Sequence, residues 1–443
     1  MEYSKGPFSD IDPALEARYR AKFISPDDAL GMIRSHDTIS IGFFGNEPYA
    51  MMSRLHTIAD RVEDVVVWTS NPMAEHEFIR DDSLTGRIDV ISIFYGDALR
   101  GDHKKGHITF MPNNLHSLLD VMMRTRRPNI FFAAVTPMDR FGYVCMSMSQ
   151  QTELDMLDVC DTVIFEVNPN MPITGGTVRV PIEKVDYFVD VDYPISHAPV
   201  YPVTPEQLRI AEYASELIRD GDTIQLGIGG MPDAVATHLM DRHDLGIYTE
   251  MIGSAMGKLM KCGAVNNSKK NFHRNKTVGA FIWGDEELYD FVNLNPSIDI
   301  LPIMYVNNPM NVMKNENMVS VNTALEIDLT GQVCSETIGG RQYSGTGGAS
   351  DFAYGAYHAK NGRGILALQS TAKGGTISRI KAQLTPGSAV SISRNVVDII
   401  VTEYGVARLR DKTVLQRVEE LINVAHPDFR AELRAEANRL HIW

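Results

Sequence analysis

The stretch Gln225–Gly253, QLGIGGMPDAVATHLMDRHDLGIYTEMIG, decides the fold. It reads as strand, glycine turn, helix and second strand. The apolar run Thr223–Leu226 gives way to Gly227, Gly229 and Gly230, residues that permit backbone angles closed to side-chain-bearing residues. Pro232 falls where a helix can begin, because its missing N–H costs nothing in the first turn. Such a turn presents bare amides and a helix N-terminus to a negative or polarised oxygen. Leu245, Ile247 and Tyr248 form a short strand, so Thr249 and Glu250 fall at its carboxyl end, where open α/β sheets place ligands. A glycine turn before a helix is also an ordinary α/β connection, and a Glu after a strand is often a solvated loop residue. The segment alone leaves both readings open.

Comparison of the chain with itself narrows them. Ile33–Leu55, IRSHDTISIGFFGNEPYAMMSRL, repeats as Ile218–Leu239, IRDGDTIQLGIGGMPDAVATHL, with Asp37 on Asp222, Thr38 on Thr223, Gly42 on Gly227 and Gly45 on Gly230. Asp139–Cys145 echoes Asp328–Cys334, and Asp161–Glu166 echoes Asp398–Glu403. Blocks recurring in order over so long a period indicate duplicated domains, not a solenoid. The expected division is 1–200 and 201–443. In the first half the strand after the helix reads Val65-Val-Val-Trp-Thr69-Ser70, so Ser70 takes the place of Glu250. That suggests one active carboxylate per chain, supplied by the second half.

Length and composition agree. The 443 residues suffice for two ordinary domains. A net charge of -14, from 42 basic and 56 acidic residues, argues against nucleic acid or an anionic membrane as partner. Cys145, Cys160, Cys262 and Cys334 form no C-x-x-C pair and no zinc spacing, which suits reduced residues of a cytoplasmic protein. The opening MEYSKGPFSDID lacks an apolar core and no run of ~18 apolar residues occurs, so a soluble protein is expected.

Along the chain, residues 1–22 read as a leading surface helix, and Ser25-Pro-Asp-Asp-Ala as a capped helix start. Apolar runs at 38–41, 65–68, 90–94, 130–135 and 163–167 alternate with amphipathic stretches, the pattern of an α/β sheet with crossover helices. A helix is expected over 115–124. The Pro- and Gly-rich span 168–205 reads as the linker, with Pro205 opening the next helix. Second-half strands are expected at 224–226, 247–249, 298–306, 364–368, 389–392 and 399–402.

Five strings carry a resemblance: GDTIQLGIGGMPDAV, YTEMIG, YSGTGGASDF at Tyr343–Phe352, STAKGGTISRI at Ser370–Ile380 and VTEYGVARLR at Val401–Arg410. In this order the chain resembles a class I coenzyme A transferase of the acetyl-CoA hydrolase/transferase family, in its 4-hydroxybutyrate and butyryl-CoA:acetate branch. It departs from the pattern at Ser254-Ala255 and Ala349-Ser350, beside the site, which bears on the acid accepted. The resemblance implies two tandem, duplicated open α/β domains of the CoA-transferase (NagB/RpiA-like) type with the active site between them, and a homodimer or higher homo-oligomer. It implies acyl-CoA and small carboxylates as substrates, coenzyme A being a substrate and no cofactor or metal being needed. Glu250 would be the nucleophile. Gln225, Gly227, Ile228, Gly229, Gly230 and Met231, with Leu325, Gly348 and Lys373, would contact coenzyme A. Gly42, Phe43 and Phe44, with Gly347, would line the oxyanion and acyl pocket, and Asn307 would hydrogen-bond the acyl or glutamyl carbonyl.

Each has a plainer reading: turns for the glycines, an Asn-Pro turn for Asn307, a surface cation for Lys373. The basic stretch Lys258, Lys261, Lys269, Lys270, Arg274 and Lys276 reads either as a solvated face or as a site for coenzyme A phosphates. Other chemistries fail on the residues. The Gly227–Pro232 turn lacks the third glycine of a dinucleotide fingerprint, and no G-x-x-x-x-G-K-[ST] or G-x-S-x-G occurs. His76-Glu77 has no second histidine at metalloprotease spacing. The expected activity is therefore transfer of coenzyme A from an acyl-CoA such as acetyl-CoA to 4-hydroxybutyrate or butyrate through a glutamyl-CoA thioester. The rivals are acyl-CoA hydrolysis, transfer to a dicarboxylate such as succinate or itaconate, and non-catalytic binding of coenzyme A.

Overall fold

A computed structural model describes residues 10–100 and 106–442. It divides into two compact units: Met1–Asn113, Ser117–Ala198 and Ala280–Met304 form the first, and Asn114–His116, Pro199–Gly279 and Tyr305–Trp443 the second. The expected division was contiguous, whereas the units exchange segments. Residues 280–304 leave the second half of the sequence and belong to the first unit.

The first unit is built on a seven-stranded sheet. Its strands are β1 (Thr38–Ile41), β2 (Val65–Thr69), β3 (Ile88–Ser92), β4 (Ile108–Phe110), β5 (Ile130–Val135), β6 (Thr162–Val167) and β7 (Tyr187–Asp190), in the order β7-β6-β5-β1-β2-β3-β4. Every pairing is parallel. The central strands β1, β2 and β5 are buried at every residue, which is why they read as unbroken apolar runs rather than alternating ones. Helix α1 (Pro13–Arg20) starts on an Asp12 cap, and α2 (Pro26–Gly31) carries the Ser25/Asp28 capping box. The rest of the expected leading helix, residues 1–9, lies outside the described residues. Helix α3 (Leu118–Thr125) is preceded by a 3-10 turn at Leu115–Ser117.

The expected linker at 168–205 contains short strands. Arg179–Pro181 pairs antiparallel with Tyr143–Cys145, and β7 completes one edge of the large sheet, burying Phe188 and Val189. Prolines and glycines concentrate around these short strands and masked them. The longest stretch there without helix or strand is 191–204.

The second unit repeats the plan with β8 (Thr223–Leu226), β9 (Gly246–Ile247), β10 (Met318–Thr323), β11 (Arg363–Ala367), β12 (Ile399–Thr402) and β13 (Gly405–Arg408), ordered β9-β8-β10-β11-β12-β13. All pairings are parallel except the last. Helix α4 (Pro205–Glu216) begins on a Thr204/Gln207 capping box, with Pro205 at its first position. Helices α5 (Gly230–Thr237), α6 (Ser254–Lys261) and α7 (Ala349–His358) follow. The C-terminal helices α8 (Val414–Asn423) and α9 (Pro427–Arg439) bury Val418, Leu421 and Leu433 in one core with Leu366 of β11 and Ile400 of β12.

Two expected strands are replaced. Residues 298–306 give a strand only at Ile298–Ile300 and turn helical at Ile303–Val306, and residues 389–392 contain no strand beyond an isolated bridge at Ile392.

Strand register places the duplicated positions. Thr38 of β1 sits opposite Val66, and Thr223 of β8 opposite Gly246. Counting four residues on from each partner gives Ser70 and Glu250, so these two are equivalent in space as well as in sequence. The echo of Asp161–Glu166 in Asp398–Glu403 does not survive this test. β6 lies two strands from β1, whereas β12 lies three from β8; β11 takes the place of β6.

Candidate active site

Glu250 emerges three residues after β9, and the short strand is fixed from below by an unexpected residue. Lys270, 4% exposed, donates from Nζ to the carbonyls of Ile247 (2.6 Å) and Lys276 (2.7 Å) and lies over the Tyr248 ring. A buried ammonium needs such partners. Lys270 is therefore spent on holding the strand that carries Glu250. Arg274 likewise donates to Ser268 O. Lys258 and Lys261 lie in the last turn of α6, where positive charge complements the helix dipole. The basic stretch is thus mostly accounted for without phosphate.

The Glu250 carboxylate meets two neutral donors. Asn307 Nδ2 donates to its Oε2 at 2.8 Å, and the Gly348 N–H lies close enough to favour its charged form. Gly348 caps α7, so the carboxylate faces the positive end of a ten-residue helix. A β-carbon on Gly348 would stand 1.8 Å from Glu250 Oε2 and 2.4 Å from Asn307 Nδ2. Its φ of -86° is open to any residue; space is what demands glycine here. Gly347 differs, since its φ of +53° is the left-handed conformation that glycine adopts freely. The adjacent asparagines also divide their work. Asn308 caps the turn Pro309–Val312 by accepting from Met310 N at 2.9 Å, while Asn307, fully buried, turns to Glu250.

Burial pushes Glu250 up to about 7, the nearby Asp351 charge adds to this, and the hydrogen bonds from Asn307 and Gly348 hold it back. Asp351, in the first turn of α7, is paired with His116: Nδ1–H donates to Oδ1 at 2.7 Å and the His116 backbone N–H to Oδ2 at 3.3 Å. The bond to Asp351 raises His116, and burial raises Asp351 against the pull of His116. Neither residue was singled out from sequence. Asp351 carried a faint signal, an acid three residues after Gly347-Gly348; His116 carried none.

The other expected residues fall into separate groups. Gln225 and Asn322, buried at the ends of β8 and β10, exchange amide hydrogen bonds of 3.1 and 2.9 Å. Gly227, whose β-carbon would lie 3.1 Å from Asn322 Oδ1, starts the turn beside them. Gly229 has φ +118°, and α5 starts at Gly230. Ile228 is half-buried between them and Met231 is buried. The Leu325 amide is bonded to Cys334 O. Lys373 is exposed, at φ +49°, in the turn between Thr371–Ala372 and Ile377–Ser378. In the first unit, the Gly42 amide donates to Phe132 O and the Phe43 amide to Glu153 Oε1, so both are already engaged. Phe44 stacks on Phe281 at 4.2 Å.

Against known proteins, an acetyl-CoA hydrolase/transferase N-terminal domain matches residues 10–198 and the corresponding C-terminal domain residues 284–437. The chain belongs to the acetyl-CoA hydrolase/transferase family. It is 40% identical to a succinyl-CoA:cyclohexane-1-carboxylate CoA transferase of Geobacter metallireducens, over 96% of this chain and 97% of that one. It is 36% identical to a 4-hydroxybutyrate coenzyme A transferase of Clostridium kluyveri, over 95% and 98%. Among solved structures, RipA from Yersinia pestis superposes with a TM-score of 0.92 at 33% identity, covering 97% of this chain and all of that one. The resemblance carried by the five strings is therefore the family found. Among the described residues no helix is long and apolar enough to cross a membrane, and no cluster of His, Cys, Asp and Glu is suited to a metal ion.

Proposed function

We propose that this member of the acetyl-CoA hydrolase/transferase family moves coenzyme A from an acyl-CoA to a small carboxylic acid, with Glu250 as the covalent carrier. The observation behind this reading is the Glu250 carboxylate itself, half-buried and held by neutral donors alone. Such a group is more nucleophilic than a solvated one, and the same donors suit the oxyanion that forms when it attacks.

In this reading a Glu250 oxygen attacks the thioester carbonyl; a C–O bond forms, the C–S bond breaks and the coenzyme A thiolate leaves. The thiolate then attacks the Glu250 carbonyl of the mixed anhydride and expels the original acid, giving a glutamyl-CoA thioester. An incoming carboxylate reverses both steps and restores Glu250. Each bond broken is matched by one formed and no net proton moves, so the cycle needs no metal or prosthetic group. The donors available to the oxyanion in this unit are Asn307 Nδ2 and the Gly348 N–H, with Gly347 shaping the approach. The turn Gly227–Met231, Gln225, Leu325 and Lys373 are assigned to coenzyme A, and Gly42, Phe43 and Phe44 to the acyl pocket through faces other than the two engaged amides. Relatives named for cyclohexane-1-carboxylate, 4-hydroxybutyrate and butyrate support a monocarboxylate acceptor. A cytoplasmic homodimer belongs to the same reading, testable by sedimentation of the purified chain.

The deciding experiment incubates the protein with acetyl-CoA, adds borohydride or hydroxylamine, and reads the mass of the peptide holding Glu250. Reduction or hydroxamate formation at Glu250 is expected. An unmodified Glu250, alongside measurable exchange, would sink the assignment. A panel of carboxylates as acceptors, with water alone as control, separates transfer from hydrolysis.

A further inference from the structure

The chain entering helix α7 reads Gly345-Thr-Gly-Gly348, three glycines around a single side chain. Glycine gives up more conformational freedom than any other residue when it is ordered. Gly348 is nonetheless held so near Glu250 that a β-carbon on it would stand 1.8 Å from Oε2. Something must fix this segment, and Thr346 is the one side chain within it that can be gripped.

The grip comes from Glu336, a residue that the proposed cycle leaves unused. Its Oε1 accepts from Thr346 Oγ1 at 2.9 Å, and its backbone carbonyl accepts from the Tyr343 and Ser344 N–H groups, both at 2.9 Å. Gln342 Nε2 lies 3.4 Å from Glu336 Oε2 and donates to Ser344 O at 2.6 Å. One residue thus holds the chain at 343, 344 and 346, immediately before Gly347 and Gly348. A further bond leads away from the site: Ser391 Oγ donates to the same Oε1 at 2.8 Å and accepts from Ser335 N at 3.0 Å. Glu336 is 7% exposed, and the donors to its carboxylate are two hydroxyls and an amide, all neutral. Burying a carboxylate on such donors is costly; what it supplies in return is bonds stronger than a neutral acceptor would make.

We propose that Glu336 is a positioning residue: through Thr346 it fixes the glycine pair, so that the Gly348 N–H stays beside Glu250 while Glu250 passes between carboxylate, anhydride and thioester. This rests on Glu250 being the covalent carrier. The rival is a plain tie between the loop and the segment around Ser391. The two hydroxyls on Oε1 separate these readings, because they share one acceptor at nearly the same distance and only Thr346 leads to the glycine pair.

The test is rapid mixing with saturating acetyl-CoA followed by borohydride trapping, reading modification of Glu250 by mass in wild type, T346V, T346S, S391A, E336A and the double variant E336A/T346V. Urea titration of each gives the rate per folded molecule. Wild type without trapping at Glu250 overturns the carrier reading and this inference with it; with wild type trapped, the variants decide the inference alone. T346V, which keeps the shape and removes the hydroxyl, is expected to slow trapping about tenfold, and T346S to recover it to within about threefold. S391A should lose stability yet stay within about threefold of the wild-type rate. E336A should be slower by about 10²-fold, the usual result of a misplacement of about 1 Å at a reacting centre. Adding T346V to it should cost no more than about twofold, because the two residues form one link. If E336A does not fold, T346V, T346S and S391A carry the test. Wild-type rates in T346V, a T346S no better than T346V, a loss in S391A equal to that in T346V, or additive losses in the double variant would overturn the proposal.

Discussion

Two glutamates, buried Glu166 in the first unit and half-buried Glu250 in the second, are both pushed up to about 7 by desolvation. Their hydrogen bonds part them. Glu166 Oε1 accepts from Met51 N at 2.6 Å, and Oε2 from Ala50 N at 3.1 Å and the Tyr193 hydroxyl at 2.7 Å. Both oxygens are engaged, and the carboxylate ties β6 to the segment after β1. Glu250 Oε2 accepts from Asn307 Nδ2 at 2.8 Å, and the Gly348 N–H is the other group that favours its charged form. A shifted pKa therefore does not separate the acid that ties two elements together from the one proposed to react. The hydrogen bonds do: Glu166 is pinned by three donors on its two oxygens, which fixes it in place as a tie between elements, whereas Glu250 accepts one side-chain bond. Ser70, the duplicated counterpart of Glu250, is buried and has no carboxylate to offer.

The comparison breaks most directly by exchanging roles. E250A should lose exchange of labelled acetate into acetyl-CoA by about 10⁴-fold or more, as expected for removal of a covalent nucleophile. E166Q should keep exchange per folded molecule within about tenfold, yet lose about 1–3 kcal/mol of stability in urea, because its amide nitrogen must face a backbone N–H. The opposite pattern would reverse the two assignments. G348A comes next. Its backbone angle is permitted, but the added β-carbon displaces Glu250 or Asn307, so a rate loss of about 10²–10³-fold is expected, the usual cost of removing one oxyanion donor. Melting temperature should barely move. Full activity in G348A would show that the close approach is dispensable.

A third prediction concerns stability and carries a definite sign. Glu250 goes from an ordinary value of 4.5 to about 7 on folding, so between these limits the folded chain binds more protons than the unfolded one. Stability then falls as pH rises from 4.5 to 7 and levels off above it. E250Q has no charge to bury and should gain up to about 3 kcal/mol over wild type at pH 8, and nothing near pH 4. Urea titrations at the two pH values check it. A gain independent of pH would mean that packing, not charge, is responsible.

Legibility from sequence followed information content. Thr38–Ile41 and Thr223–Leu226 were readable because each is a continuous apolar run closed by glycines, and their register confirms that Ser70 and Glu250 are counterparts. Met318–Thr323 went unread although it lies at the centre of the second sheet. Its run, MVSVNT, mixes polar residues whose side chains are buried against neighbours, and the asparagines before it signal turns. The false echo between Glu166 and Glu403 arose because a short apolar strand ending in an acid is a cheap pattern. Gly347 and Gly348 were both visible as glycines, but their different reasons, angle for one and space for the other, depend on Glu250 arriving from a strand about 100 residues earlier. His116 was invisible for the same cause. It reaches Asp351 from 235 residues away, and no local periodicity records such a meeting.

The smallest effect is also the sharpest control. Asn307 and Asn308 are neighbours with the same side chain, one donating to Glu250 and the other capping a single short turn. N308A removes one cap from a four-residue helix, a cost of about 1 kcal/mol in stability, with exchange unchanged. N307A removes a donor to the carboxylate proposed to react, which should leave Glu250 harder to ionise and move the acid limb of kcat/KM upward. Chemical similarity and adjacency cancel most other differences between the two variants. If N308A moved the pH profile and N307A only the melting point, the dipeptide would be a turn and the geometry around Glu250 would have another origin.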